Sequence, residues 1–296
     1  MKKSIIAIVA VLMLVSVLAI GLTACNNDEK NTNSLLFGKE LLPLTAQIDT
    51  LTQLNNGSAD IAVMDSIMAG YYTSRGDFAG KMSILPELML SEEDYGIGAK
   101  STSKALMSKV NEAMIALYNN GKMQTIAAKY GLENEIKINA ETTDPYAGAT
   151  DDSWNQLVAA KKVVIGYTEF APIAYKENDQ LVGYDVELAK AVFDYLNETY
   201  GTQIEIEMTI IEWSKKVTFI NNGSIDLIWN GMTIDPVLSQ ELCISVPYLA
   251  NKQSCVVLTS DLDKYDTIAK FMKNSKNTIV AVENGSAAYK LLTMEI

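Results

Sequence analysis

Any chemistry in this chain of 296 residues has to be done without histidine and, apart from Arg75, without arginine. That removes Ser-His-Asp and Cys-His catalysis and the commonest zinc ligand. What remains is a set of small, polar and aromatic residues, each placed just after an apolar run. Asp65 follows residues 59–64, and the loop Tyr167-Thr168-Glu169-Phe170-Ala171-Pro172 follows 162–166. Asn230-Gly231-Met232-Thr233 follows 225–229, and Asn284-Gly285-Ser286-Ala287 follows 278–282. A carboxylate accepts from an ammonium, and N–H groups at a helix start suit an anion. Together these groups suit the holding of a small polar molecule. Asp65 and Glu169 could instead do acid–base work, but no catalytic residue, cofactor or metal site is expected. Each group also has a plainer reading: Asp65 and Ser286 as helix caps, Phe170 as core.

The elements that must position these groups alternate. Helices are expected within 35–54, 66–73, 101–118, 122–130 and 154–160, then from Asp185 (as N-cap) onwards, over 268–271, and after Ser286. Strands are expected over 59–64, 84–90, 95–99, 162–166, 204–211, 225–229, 253–258 and 278–282, with the chain breaking at Asn230–Thr233. Alternation of this kind predicts an α/β fold with largely parallel sheets, in which ligands bind past the carboxyl ends of strands. The stretch Asn55-Asn56-Gly57-Ser58-Ala59-Asp60-Ile61 is nearly repeated as Asn221-Asn222-Gly223-Ser224-Ile225-Asp226-Leu227. Two such helix–turn–strand units predict two similar lobes, each supplying two of the four strand ends, with a ligand cleft between them.

The net charge of −12 comes without a basic patch, so nucleic acid is not an expected partner. Residues 1–24 carry Lys2 and Lys3 before a long apolar run. Leu22-Thr23-Ala24-Cys25 then reads as a bacterial lipobox with Cys25 acylated, the alternative being an uncleaved membrane anchor. Either reading places the mature protein outside the cytoplasmic membrane, with 25–34 as a polar tether. Cys243 and Cys255 are either a pair or two buried thiols. Residues 138–153, rich in Asn, Thr, Asp and Ala, read as a linker.

Residues 162–175 (KVVIGYTEFAPIAY), 183–191 (GYDVELAKA) and 226–248 resemble the first lobe of solute-binding proteins family 3, the polar amino-acid receptors of ABC importers. Residues 280–287 (VAVENGSA) resemble the start of the second lobe, 55–72 its end, and 95–131 the helices that return to the first lobe. The resemblance implies two doubly wound lobes joined by a two-stranded hinge (periplasmic-binding-protein type 2-like), a small-molecule ligand that is an amino acid or related amine, and ABC permease subunits as partners. It carries ligand contacts onto Tyr167, Phe170, Trp213, Asn230, Gly231, Met232, Thr233, Leu238, Gly285, Ser286, Ala287 and Asp65. Two departures stand out. The segments come in permuted order, either as a circular permutant or as the remnant of a tandem protein. That order gives second-lobe parts at 35–88 and 249–296 and first-lobe parts at 89–137 and 154–248. And Leu238 stands where the family's carboxylate-clamping arginine belongs, after Asp235-Pro236. A non-transporting sensory or remnant module is therefore an alternative to a transport receptor, as is, less readily, an enzyme on the same fold.

Overall fold

The computed structural model describes residues 35–294. The signal segment, Cys25 and the tether lie outside the described residues. In chain order the elements are β1 Glu40–Leu44, α1 Gln47–Asn55, β2 Ile61–Asp65, α2 Ser66–Ser74, β3 Met82–Lys100, α3 Lys104–Asn119, α4 Lys122–Tyr130 and α5 Ser153–Ala160. Next come β4 Lys162–Tyr167, β5 Tyr175–Glu177, β6 Gln180–Val182, α6 Tyr184–Tyr200, β7 Glu205–Ile210, α7 Lys216–Asn221 and β8 Leu227–Thr233. The chain closes with α8 Leu238–Glu241, β9 Leu242–Ile244, β10 Leu249–Leu258, α9 Leu262–Tyr265, α10 Ile268–Asn274, β11 Ile279–Glu283 and α11 Ala287–Thr293.

The chain divides into two compact units and passes between them twice, within β3 at Glu92/Glu93 and within β10 at Asn251/Lys252. These crossings fall inside continuous strands, a few residues beyond the expected 88/89 and 248/249. The segments expected at 84–90 and 95–99 are one strand, and β1 was not anticipated, because Pro43 interrupts its apolar run.

The first unit joins residues 35–92 to 252–294. Its sheet runs β1-β11-β2-β10-β3, with β11 parallel to both β1 and β2 and β10 antiparallel to β2. Leu36 N–H donates to the Leu292 carbonyl (2.9 Å), and Phe37 meets Phe271 edge-on at 4.9 Å between ring centroids. Leu36, Phe37, Ile61 and Val63 share one buried cluster with Cys255, Phe271, Val280 and Leu292. Segments more than 200 residues apart thus form one core.

The second unit spans 93–251. Its sheet has β4 parallel to β7 and β8, and β3 antiparallel to β8 and β9. Cys243 and Cys255 are both buried free thiols, one in each unit.

The repeated heptapeptide folds the same way twice. Asn56 and Asn222 cap α1 and α7, and Gly57 and Gly223 take positive φ of 78° and 76°. Ser58 N–H donates to Asn56 Oδ1 and Ser224 N–H to Asn222 Oδ1, both at 2.9 Å. The aspartates then do the same work. Asp60 Oδ2 accepts from Ile279 N–H at the start of β11, and Asp226 Oδ2 from Val164 N–H in β4, both at 2.8 Å. Each aspartate ties its own strand to the parallel neighbour, whose N–H would otherwise lack a ladder partner at that point. Burial raises the Asp226 pKa, opposed by the Val164 N–H and by Lys162.

Three local readings change in the structure. Of residues 138–153 only Ser153, the first residue of α5, is in a helix or strand, yet the stretch is tied to the second unit. Asp144 accepts from Ser108 Oγ and Asn111 Nδ2 (2.5 and 2.7 Å), and Asp151 and Ser153 accept from Ala105 and Leu106 N–H (2.8 and 3.0 Å). Ser103 makes no side-chain cap on α3, so this strap supplies the cap from about 50 residues away. Asn230–Thr233 do not break the chain. They are inside β8, where the pairing with β3 shifts between Gly96 and Gly98 and Gly231 takes φ +61°. A Cβ on Gly231 would lie 2.8 Å from Phe170. Third, Asp185 is not the N-cap of α6. Gly183 holds that position at φ +133°, where a Cβ would meet the Ile173 carbonyl oxygen at 2.3 Å.

The Asp185 side chain instead turns into the core. Its Oδ2 accepts from Tyr248 Oη (2.8 Å) and Gly231 N–H (2.9 Å), beneath the stacked rings of Tyr184 and Tyr248. Burial raises its pKa to about 7, against the pull of those two donors. The folded state therefore holds this proton more tightly than the unfolded chain. Stability from Asp185 is complete below the ordinary carboxylate range, falls as pH rises from about 4 to 7, and levels off above. In urea titrations across that range, Asp185→Asn should gain on the parent as pH rises. A constant difference would reject the assignment. Phe37→Ala should destabilise the first unit by about 3–5 kcal/mol, as for other buried phenylalanines, in thermal or denaturant unfolding. A change within experimental error would mean that residues 35–44 are not part of that core.

Candidate functional site

In the second unit the candidate residues gather at the carboxyl ends of β4 and β8. β8 is fully buried as far as Met232, and Thr233 at its end is partly exposed. Asn230, 2% exposed, donates through Nδ2 to Thr168 Oγ1 at 2.7 Å. Gly231 N–H is spent on Asp185 and on the Tyr248 hydroxyl (2.9 and 3.2 Å). Thr233 Oγ1 donates to Glu93 Oε2 at 2.9 Å, and Asn251 Nδ2 reaches the same oxygen at 3.2 Å. Glu93 is thus brought to the candidate hydroxyl from 140 residues away.

The aromatic candidates are more buried than a ligand-covering role suggests. Phe170 packs on Gly231 and edge-on to Tyr95 at 6.3 Å, and its N–H and carbonyl close a tight turn with Ala174. Tyr167 is buried, and burial, then Glu169, raises its pKa. Trp213 joins Met232, Leu238, Ile220 and Leu242 in one apolar cluster. Lys216 Nζ lies 4.6 Å from the Trp213 ring centroid and donates to the Trp213 carbonyl at 3.3 Å. Leu238, 6% exposed, heads α8, and its N–H is capped by Asp235 Oδ1 at 2.8 Å. A guanidinium at that position would have to enter an apolar cluster rather than an open polar site.

In the first unit, Asp65 closes β2 and is 6% exposed. It does not cap α2 through its side chain. Its Oδ2 accepts from Gln47 Nε2 (2.5 Å) and its Oδ1 from Gln253 Nε2 (3.0 Å), while Gln47 Oε1 accepts from Asp65 N–H (3.0 Å). Two amides from α1 and β10 therefore fix the plane of the carboxylate. Ser286 caps α11, its Oγ accepting from Tyr289 N–H at 3.1 Å, beside Gly285 at φ 71° and Ala287 at the helix start. Its own N–H donates to the Glu283 carbonyl at 3.3 Å. The hydroxyl and amide that could have met an anion are engaged within the turn.

Gln47, Gln253, Glu93, Asn251 and Lys216 were not anticipated. They lie in stretches with no motif, and except for Lys216, whose partner Trp213 is three positions away, their partners are 18 to 188 positions off, so only the fold pairs them.

Residues 163–290 match the family model described as bacterial extracellular solute-binding proteins, family 3. Over 128 residues the chain is 32% identical to the arginine-binding extracellular protein ArtP of Bacillus subtilis (strain 168), covering 43% of this chain and 45% of that protein. It is 28% identical over 138 residues to ABC transporter arginine-binding protein 1 of Escherichia coli (strain K12), covering 45% and 51%. The chain thus spans about half the length of the curated relatives it matches. Among solved structures it is similar to a polar amino acid ABC uptake transporter substrate binding protein from Streptococcus thermophilus. That likeness is 37% identical, over 33% of this chain and 36% of that one, with a TM-score of 0.27. A Streptococcus pneumoniae ABC uptake transporter substrate binding protein with bound histidine is 29% identical, over 30% and 35%, also with a TM-score of 0.27. The stretch that matches the bacterial extracellular solute-binding proteins, family 3, takes in β4, β8, β11 and the groups at their carboxyl ends.

Proposed function

We propose that this chain is the extracytoplasmic solute-binding protein of an ABC importer, anchored by a lipid on Cys25. It would take a small polar solute bearing an ammonium group and deliver it to permease subunits. The observation that carries this reading is Asp65: a buried carboxylate at a strand end, oriented by Gln47 and Gln253 rather than spent as a helix cap. An ammonium gains most from a carboxylate whose orientation is already fixed. The match to family 3 and the arginine-binding relatives support the solute class. Binding, not turnover, is the proposed activity.

For the segment order we propose a circular permutation or a tandem remnant, and the parallel pairing of β11 with both β1 and β2 fits either. A permutant closes the first unit within one chain and should run as a monomer in light scattering. A stable dimer would favour the tandem-remnant account. For the binding itself, calorimetric titration with amino acids and small amines should find a ligand. Asp65→Ala should then weaken it by about 2–5 kcal/mol, the usual cost of removing one partner of a buried charged pair. A folded protein that binds no solute in the panel would reject the proposed function.

A further inference from the structure

We infer that the half-site in the second unit selects a cationic amine lacking a carboxylate, and that Glu93 determines this preference. The inference rests on the solute-binding reading above and concerns which class of solute that site accepts. It follows from the donors and acceptors at the end of β8.

An anion needs N–H or O–H donors directed at it, or a cation. At the end of β8 four donors already have acceptors inside the unit. Gly231 N–H donates to Asp185 (2.9 Å), Asn230 Nδ2 to Thr168 (2.7 Å), Leu238 N–H to Asp235 (2.8 Å), and Thr233 Oγ1 to Glu93 (2.9 Å). The chain's only arginine, Arg75, is in the other unit, where it lies over the Tyr71 ring. Among the described residues the only buried lysine is Lys216, which stacks on Trp213 within the apolar cluster that holds Leu238.

Two acceptors stand beside these donors. Asn230 Oδ1 is buried with no hydrogen-bond partner. Glu93 brings a half-buried negative charge to the Thr233 hydroxyl, and Asn251, 3% exposed, holds it there at 3.2 Å. A carboxylate at this place repels a ligand carboxylate and attracts an ammonium or guanidinium, and the partly desolvated setting strengthens both effects. A solute with N–H donors and no carboxylate satisfies this arrangement, whereas an α-amino acid meets a like charge.

The test is a set of matched pairs titrated calorimetrically into the full mature chain: agmatine against arginine, cadaverine against lysine, histamine against histidine. At least one amine should bind tenfold or more tightly than its parent amino acid. Glu93→Gln keeps the size of the side chain and an acceptor for both Thr233 and Asn251, and should cut amine affinity at least tenfold. Glu93→Asp, with the charge retained, should keep the preference for amine over amino acid. If Glu93 were only structural, the order would reverse, with Gln tolerated better than Asp; thermal midpoints would verify that both variants fold. Equal or tighter binding of the amino acids would overturn the inference, as would unchanged amine affinity in Glu93→Gln. If a different solute binds but no amine does, the inference fails while the solute-binding reading stands. If nothing binds, both fail.

Discussion

The structure depends on one repeated interaction: an aspartate side chain that holds an N–H near the start of a neighbouring parallel strand. Asp226 grips Val164 and Asp60 grips Ile279. Parallel strands are not joined by a tight turn, so nothing local sets their register. The aspartate sets it at the amino ends. Gly166 then pairs with Ile228 and Val63 with Val282, and the residues that follow along these strands include Thr168, Asn230, Thr233, Asp65 and Ser286. A slip of one residue would turn each of these side chains to the other face of its sheet.

The second constraint is the cost of burying polar groups. Asp185, Asn230, Asp65 and Gln253 lie almost wholly out of water, and each is held by at least one specific donor or acceptor. These pairings orient groups, but they also consume them. Gly231, Thr233 and the Ser286 N–H were each ligand contacts implied by the resemblance, and the Ser286 N–H donates to the Glu283 carbonyl. In the fold each serves an internal acceptor or a helix start.

The same economy explains Leu238. An arginine needs a polar opening for its fork of donors. The start of α8 instead packs against Trp213, Ile220 and Leu242. The aliphatic side chain and its apolar surroundings agree, so the departure from the family pattern is built into the core of the unit and is not a single exposed replacement.

The sequence by itself determined the α/β class, most of the longer helices and strands, the twin helix–turn–strand units, and the family resemblance of 162–175 and 226–248. These follow from local periodicity and from turn chemistry such as Asn-Asn-Gly, which act over a few residues. It did not reveal that Asn230–Thr233 remain in β8 as a bulge, because a bulge depends on the opposing strand. Nor did it reveal that Asp185 enters the core, that 138–153 caps α3, or that Glu93 and two glutamines hold the candidate binding groups. Those pairings join residues up to 188 positions apart. No local preference reaches that far; only the tertiary fold, by excluding water and forcing buried polar atoms to find partners, decides them.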